Sequence, residues 1–277
     1  MSASRSAAKR PGIPYSFTAR IYDEIYAWKD YAGECRRIRQ LIRQYGPPHP
    51  RTLLDVACGT GAHLAYLSRG LDATGLDLTE GMLRVARRKL PRVRFVRGRM
   101  EAFDLGRKFD VITCLFSAIG YARSPRDLRR IFHNFSRHLH PGGVAIVEPW
   151  LTRAVYRTGH VHVGRYGTAQ FPIIRMNLAE RRGNRSIMDM HHLVATPQGI
   201  RHWVEHHDMG MFEVRTYLAA FREAGFRARF LKNGLMKDRG LYVATLPMAG
   251  KNRVLLRPEP RSHGIRRGRS SRPRPRS

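Results

Sequence analysis

Apolar and polar positions in the first 150 residues alternate between short continuous apolar runs and helical spacings. Apolar runs that predict buried parallel strands lie at 52–57, 73–77, 93–96, 109–116 and 144–147. Segment 32–45 has helical spacing, and so does the segment that begins at Pro125, with apolar residues at Leu128, Ile131, Phe132, Phe135 and Leu139. Strands that alternate with helices predict an α/β fold built on a doubly wound parallel sheet.

The pattern changes after Trp150. Residues 160–212 alternate without a helical period and contain a turn at 197–199, which predicts antiparallel strands. An insertion at this point would cover the carboxyl ends of the sheet and could form a substrate pocket. A helix at 216–224 and a strand at 241–245 would complete the sheet.

These patterns divide the chain into five parts. We expect a flexible arm at 1–12, a core with an N-terminal lid at 13–150, the β insertion at 151–212, the end of the core at 213–247 and a disordered basic tail at 248–277.

The formal net charge of +30 is concentrated partly in the tail. Residues 251–277 contain nine Arg and one Lys against Glu259, a net charge of +9. Such a segment binds polyanions weakly and without sequence preference. The remaining excess is arginine spread over the fold, and no aromatic residues interleave the basic run as a single-strand platform would require.

Cysteine content and hydropathy indicate the compartment. Cys35, Cys58 and Cys114 are odd in number and lack Cys-x-x-Cys spacing, which favours reduced thiols in a cytoplasmic protein. No apolar run is long enough for a membrane span, and residues 1–12 contain no apolar stretch typical of a secretory signal.

A glycine turn follows the first apolar run. In Asp-Val-Ala-Cys-Gly-Thr-Gly at 55–61, Gly59 and Gly61 can adopt positive φ and let a ligand approach the backbone. The N-terminus of the next helix offers unpaired N–H groups to an anion. A nucleotide-like ligand with a carboxylate or phosphate is therefore expected at this edge of the sheet.

Asp77 ends the second apolar run, 18 residues after Gly59, where an acidic residue can bind the ribose hydroxyls of an adenosine cofactor. Leu64 stands where a dinucleotide fingerprint needs its third glycine. Strand, glycine turn, helix, strand and terminal acid together resemble the class I S-adenosylmethionine-dependent methyltransferases. The alternative is an ordinary βα turn with a solvated Asp77.

Further motifs narrow the resemblance. The run Thr-Cys-Leu-Phe-Ser-Ala-Ile-Gly at 113–120, Glu-Pro-Trp at 148–150 and Arg-Gly at 239–240 occur in the order found in nucleotide-linked amino-sugar N,N-dimethyltransferases of macrolide sugar pathways. The resemblance runs from about Tyr22 to Val243. It implies a mostly parallel seven-stranded sheet with an inserted antiparallel sheet, S-adenosylmethionine as cofactor and N-methylation of a small-molecule amine.

The resemblance also implies site residues. Tyr22 in the lid and Tyr121 would act on the amine, and Ser117, Trp150 and Arg239 would bind the substrate, Arg239 at its pyrophosphate. Contacts to the cofactor are expected from Tyr31, Asp55, Ala57, Gly59, Gly61, Asp77, Leu78, Met82, Met100, Glu101 and Phe116.

Two positions depart from the family. Tyr121 stands where these enzymes usually have His, and a phenol with a pKa near 10 is a poorer base at neutral pH. Arg99 stands where they have Asp, and a guanidinium cannot accept from the adenine amino group. Backbone groups or Glu101 would then take that role. These departures leave the methyltransferase prediction intact and leave the acceptor open.

Other functions remain open at this point. An RNA or protein methyltransferase guided by the basic tail is one, although Leu-Phe-Ser at 115–117 is not the Asn/Asp-Pro-Pro-aromatic motif of enzymes acting on RNA base amines. A binding module that kept the cofactor pocket is another. We expect no metal site, because adjacent histidines in a strand point to opposite faces. A homodimer is possible.

Overall fold

The computed structural model describes residues 18–248. The arm expected at 1–12 lies outside the described residues, as does the basic tail beyond Met248.

The core is a seven-stranded sheet with the order β10-β11-β5-β4-β1-β2-β3. Its strands are β1 (Thr52–Val56), β2 (Asp72–Asp77), β3 (Arg94–Arg97), β4 (Phe109–Cys114), β5 (Leu139–Val147), β10 (Arg227–Leu231) and β11 (Leu241–Thr245). Only β11 runs antiparallel to its neighbours. The predicted doubly wound, mostly parallel seven-stranded sheet is confirmed.

Helices cover both faces of this sheet. They are α1 (Tyr22–Ile25), α2 (Tyr31–Tyr45), α3 (Leu64–Leu67), α4 (Glu80–Lys89), α5 (Pro125–Arg137) and α6 (Val214–Glu223). Among residues 18–248, none of them combines the length and the apolar character needed to cross a lipid bilayer.

Burial on both faces explains why the central strands are continuously apolar. In β1, Leu54 and Val56 pack in one cluster with α5 and α6, whereas Leu53 packs on the opposite face with α2. Successive residues of a strand point to opposite faces. A strand that is covered on both sides therefore needs apolar residues at odd and even positions alike. The helices leave the carboxyl ends of the strands accessible.

The predicted insertion is a four-stranded antiparallel sheet. It comprises β6 (Val161–Gly167), β7 (Pro172–Arg182), β8 (Arg185–Thr196) and β9 (Gly199–Gly210), paired in that order. The hairpin between β8 and β9 turns beside Gly199, which has φ +116°. The end of β9 returns to the core and packs against the 3-10 helix Ala118–Tyr121.

Two strand boundaries differ most from the sequence prediction, and one strand was not predicted. Strand β4 ends at Cys114 rather than at 116, because Phe116 and Ser117 have φ of +51° and +61°. Strand β5 begins at Leu139 rather than at 144, where Leu139 pairs with Phe109 before a register shift. Strand β10 was not predicted: its arginines give little apolar signal, and it pairs only with β11.

Candidate active site

A cavity of about 450 Å³ opens at the carboxyl ends of β1, β2 and β4, under the N-terminal segment and beside β9. Its lining includes these residues proposed from the sequence: Tyr22, Ala57, Gly59, Asp77, Leu78, Met82, Met100, Glu101, Phe116 and Tyr121. The elements that carry them are far apart in sequence, and the parallel sheet brings them together at one edge.

The two glycines of the loop after β1 have different surroundings. Gly59 has φ +56°, and a Cβ built on it would meet no described atom within 4 Å, so its backbone faces open space. Gly61 has φ +77°, and its Cβ would lie 3.2 Å from Leu90 Cδ1. Gly59 therefore leaves room for a ligand, whereas Gly61 allows the loop to pack on neighbouring side chains and is not in the cavity lining.

Asp77 joins the two strand ends that form the floor of the cavity. Its carboxylate accepts from the backbone N–H of Gly59 at 2.9 Å and from that of Thr79 at 2.8 Å. Burial raises the pKa of Asp77, and these hydrogen bonds oppose the shift. A buried carboxylate beside an open glycine backbone fits the ribose and methionyl parts of S-adenosylmethionine.

Asp55 lies beneath the loop rather than in the cavity lining. Its carboxylate is 2 % exposed and accepts from Thr113 Oγ1 at 2.7 Å. Burial raises its pKa to about 6. This places Asp55 among the residues that support the cavity from below.

At the far end of the cavity, Arg99 and Glu101 form an ion pair with Nε 2.5 Å from Oε1. Both residues line the cavity, together with Met100. The carboxylate that could accept from an adenine amino group is therefore engaged by the arginine that replaces the family's aspartate.

The N-terminal segment is tied to the cofactor side of the cavity. Asp23 accepts from Thr60 Oγ1 at 2.6 Å and from Lys89 Nζ at 2.7 Å, which links α1 to the glycine loop and to the end of α4. Tyr22 precedes Asp23 and packs on Tyr26, with ring centroids 4.6 Å apart and the rings tilted by 55°. These contacts hold the N-terminal segment beside the cavity, and its action as a lid stays a prediction.

Tyr31 lies at the start of α2, outside the cavity lining, where its ring meets that of His63 edge-on at 4.9 Å. Beside it, Glu34 pairs with the buried Lys29 and with His63 Nε2 at 2.8 Å. Burial raises the pKa of Tyr31, and the nearby carboxylates add to the shift. The expected cofactor contact of Tyr31 is not visible in the lining.

The corner after β4 gathers the expected substrate residues. Ser117 Oγ donates to the carbonyl of Pro149 at 2.6 Å and accepts from Arg239 Nη1 at 2.8 Å. The Arg239 guanidinium lies 5.0 Å from the ring of Trp150 and 5.8 Å from that of Phe116. Ser117, Trp150 and Arg239 thus form one cluster on the wall next to Phe116, outside the cavity lining.

Glu148 holds this corner in place; the sequence placed it in the Glu-Pro-Trp motif but gave it no role in the site. Its Oε2 accepts from the backbone N–H of Phe116 at 2.6 Å, while Oε1 is buried and has no hydrogen-bond partner among residues 18–248. Burial raises its pKa, and Arg239 and Lys29 oppose the shift. A carboxylate directly after an apolar strand is the sequence signal that could have identified this role.

Strand β9 contributes residues that the sequence did not identify. His206, Asp208 and Met209 line the cavity, as do Met100 and Glu101. The Tyr121 hydroxyl lies 2.8 Å from Nδ1 of the buried His207. Alternation of polar residues in β9 had predicted a strand, but not which face of it meets the core.

The histidines of the insertion follow the strand alternation. His191 is exposed and lies 3.2 Å from His202, whereas the adjacent His192 is buried and stacks on Trp203. Within the described part of the chain, no three His, Cys, Asp or Glu side chains are close enough to bind a metal ion.

Comparison with known proteins identifies the family of this chain. A family model described as a methyltransferase domain matches residues 53–143. The dTDP-3-amino-3,4,6-trideoxy-alpha-D-glucopyranose N,N-dimethyltransferase of Streptomyces venezuelae is 38% identical over 229 residues, 81% of this chain and 96% of that protein. The dTDP-4-amino-2,3,4,6-tetradeoxy-D-glucose N,N-dimethyltransferase of Saccharopolyspora spinosa is 40% identical over 228 residues, 81% of this chain and 91% of that protein.

A solved structure agrees. The S-adenosylmethionine-bound amino pentose methyltransferase CalS10 of Micromonospora echinaspora superposes with a TM-score of 0.73 at 33% identity, covering 86% of this chain and 100% of that chain. The chain therefore belongs to the S-adenosylmethionine-dependent methyltransferases, in the family of the dTDP-amino-sugar N,N-dimethyltransferases.

Proposed function

We propose that this enzyme transfers methyl groups to the amino nitrogen of a nucleotide-linked amino sugar. The observation that carries the proposal is one continuous cavity that joins Asp77 and Gly59 to Tyr22 and Tyr121. A donor held at the first pair brings its reactive end towards the second pair. The relatives named above act on dTDP-amino sugars, which supports an acceptor of that class.

S-adenosylmethionine, when bound, supplies an electrophilic methyl group on a sulfonium. Asp77 would hold its ribose, the open backbone at Gly59 its methionyl part, and Leu78, Met82 and Met100 its adenine. Asp77 is nearly buried, so its hydrogen bonds act in a low-dielectric environment where they are stronger than in water.

The protein's part in the reaction is to align and desolvate a neutral amine. Tyr22 and Tyr121 both line the cavity and can accept hydrogen bonds from the amine N–H groups, which directs the nitrogen lone pair towards the methyl group. Alignment of two bound reactants is a large source of rate acceleration.

Arg239 is proposed to bind the diphosphate of the acceptor. Its guanidinium is half-buried against Trp150 and already donates to Ser117. A guanidinium has five N–H donors, so it can bond Ser117 and a phosphate oxygen together.

The test combines binding and transfer. Calorimetric titration should detect binding of S-adenosylhomocysteine to the protein. In a transfer assay, labelled methyl groups should pass to dTDP-3-amino or dTDP-4-amino sugars in preference to simple amines. Tyr22→Phe should lower turnover without weakening S-adenosylhomocysteine binding. Absence of S-adenosylhomocysteine binding would refute the proposal, and full turnover of Tyr22→Phe would refute the role of that tyrosine.

The basic tail is proposed to be an accessory that contacts polyanions weakly. Deletion of residues 251–277 removes a net charge of +9. Turnover on a small amine should remain, while retention on RNA at low salt should be lost. Loss of turnover with the tail would instead support guidance of an RNA or protein substrate by the tail.

We also propose a homodimer that packs the outer faces of two insertion sheets. This face exposes Val161, Val163, Leu178, Ile200 and Val204, with 45% to 75% of each residue accessible. An apolar patch on one sheet face suits a two-fold interface, in which the same surface meets itself. Light scattering should give twice the mass of one chain for the wild type. The Val163→Lys variant should give the mass of a single chain. A monomeric wild-type protein would contradict the proposal.

Buried thiols support a cytoplasmic location. Cys35, Cys58 and Cys114 are all buried and none forms a disulfide. Reduced cysteines of this kind are typical of proteins in a reducing compartment.

A further inference from the structure

Tyr121 forms a hydrogen bond with a residue 86 places further along the chain. It ends the 3-10 helix Ala118–Tyr121, and its hydroxyl oxygen lies 2.8 Å from Nδ1 of His207 in β9. The Tyr121 side chain lines the cavity, whereas His207 is 1 % exposed and lies behind it. The imidazole therefore reaches the active site through the phenol.

The carboxylate nearest to His207 favours one of the two tautomers of its ring. Its Nε2 lies 3.9 Å from Oε2 of Glu205, which sits two residues earlier in β9 and on the same face of the strand. This distance is too long for a hydrogen bond, but the negative charge of the carboxylate favours the tautomer that carries the proton on Nε2. Nδ1 is then an acceptor, and the Tyr121 hydroxyl donates to it.

Burial keeps the imidazole neutral. Desolvation lowers the pKa of His207 to about 3, and the nearby His192, Arg175 and His206 add to the shift, while Asp189 opposes it. Nδ1 is accordingly available as an acceptor across the neutral pH range.

We propose that His207 is a positioning residue, which takes up the hydroxyl hydrogen of Tyr121 so that only oxygen lone pairs of the phenol face the acceptor amine. The proposal deepens the proposed function and rests on it. A phenol with an unengaged hydrogen can donate to the nitrogen lone pair, which is the electron pair needed for attack. A phenol that donates to His207 can only accept from the amine N–H groups, and the lone pair stays available.

A double-mutant cycle tests this role. His207→Leu should lower kcat about tenfold, the effect of losing one well-placed hydrogen bond, while the affinity for S-adenosylhomocysteine stays within twofold. His207→Asn offers an amide oxygen close to the position of Nδ1 and should recover most of the rate. In a Tyr121→Phe background, His207→Leu should change kcat by less than twofold, because the hydroxyl on which it acts is gone.

The opposite result would overturn the proposal. If His207→Leu also lowers kcat tenfold in the Tyr121→Phe background, the effects of the two substitutions are independent, and His207 supports the fold rather than the phenol. Melting temperatures of all five proteins, the wild type and four variants, identify any variant that fails to fold.

A second measurement does not depend on turnover. In ¹⁵N-labelled protein with S-adenosylhomocysteine, His207 should show a protonated Nε2 and an unprotonated Nδ1 whose shift changes in Tyr121→Phe. A protonated Nδ1 in the wild type would overturn the proposal. If the wild type methylates no amine, the proposed function fails, and this spectrum still decides whether His207 accepts from Tyr121.

Discussion

The carboxylate of Asp77 accepts a hydrogen bond of 2.9 Å from the backbone N–H of Gly59, and this contact joins the end of β2 to the loop after β1. The same carboxylate accepts from Thr79 at the start of α4. Asp77 is thus held against the loop by two backbone hydrogen bonds, and in its proposed role it would present an already oriented carboxylate to the ribose of the cofactor.

Replacement of Asp77 by Asn should therefore weaken cofactor binding strongly. The amide keeps one acceptor but turns an N–H group towards a backbone N–H, which leaves a buried donor unsatisfied. A penalty of about 1–3 kcal/mol corresponds to roughly a tenfold to hundredfold weaker Kd for S-adenosylhomocysteine, measured by calorimetry. Asp72→Asn is the matched control, because Asp72 begins the same strand at an exposed position and should leave the Kd unchanged.

A comparison of Gly59→Ala with Gly70→Ala separates the effect of backbone strain on stability from steric exclusion of the cofactor. Both Gly59 and Gly70 have positive φ, and neither would bring a Cβ within 4 Å of a described atom. Each Ala variant should lose about 1 kcal/mol of stability from the strained backbone. Only Gly59→Ala places its methyl in the cofactor cavity, so only this variant should bind S-adenosylhomocysteine at least tenfold more weakly. Equal affinity in the two variants would show that the Gly59 backbone does not face the cofactor.

Loss of the Asp23 carboxylate should loosen the lid. Asp23→Ala removes the contacts to Thr60 and Lys89, which are the polar links of α1 to the cofactor side. We expect faster dissociation of S-adenosylhomocysteine by stopped-flow, about threefold to tenfold, since these half-exposed contacts contribute about 1 kcal/mol. Glu24→Ala, at the neighbouring exposed position, serves as the control and should keep the wild-type rate. An unchanged rate in Asp23→Ala would mean that these contacts do not restrain the lid.

Stability should depend on pH through Asp55. Burial raises its pKa to about 6 in the folded protein, against about 3.9 in an unfolded chain. Between these values the folded state binds more protons than the unfolded state, so the contribution of Asp55 to stability falls as pH rises from about 4 to 6. Asn can still accept from Thr113 and does not titrate.

The melting temperature of the wild type relative to Asp55→Asn should therefore be higher at pH 4.5 than at pH 7. Other titrating groups are common to both proteins and cancel in the difference. A difference that stays constant over this range would show that Asp55 is ionised in the folded protein throughout.

Much of the fold was predictable because burial leaves a local signature. Strands β1, β2 and β4 are covered on both faces and appear as continuous apolar runs, and α5 shows its buried face at helical spacing. Strand β10 was missed because it lies at the edge of the sheet and alternates arginine with apolar residues, so its sequence carries only half of that signal.

The position of the candidate site was predictable where a candidate residue lies at the end of a strand or just after it. Gly59 and Asp77 come immediately after or at the end of buried strands, and parallel strands carry their ends to the same edge. The surroundings of Gly61 were not predictable in this way. Its positive φ was expected from the turn, but whether it faces a ligand or Leu90 depends on how α4 packs on the loop.

By itself, the sequence determined the alternation of strands and helices, the glycine loop with its partner acid, and the family, because each depends on residues close together in the chain or on a motif. Tertiary structure alone decided that His207 stands behind Tyr121, that Glu148 holds the amide of Phe116, and that Asp23 reaches Thr60. These contacts depend on how the insertion, the core and the N-terminal segment sit against one another, and no local pattern of apolar and polar residues encodes that placement.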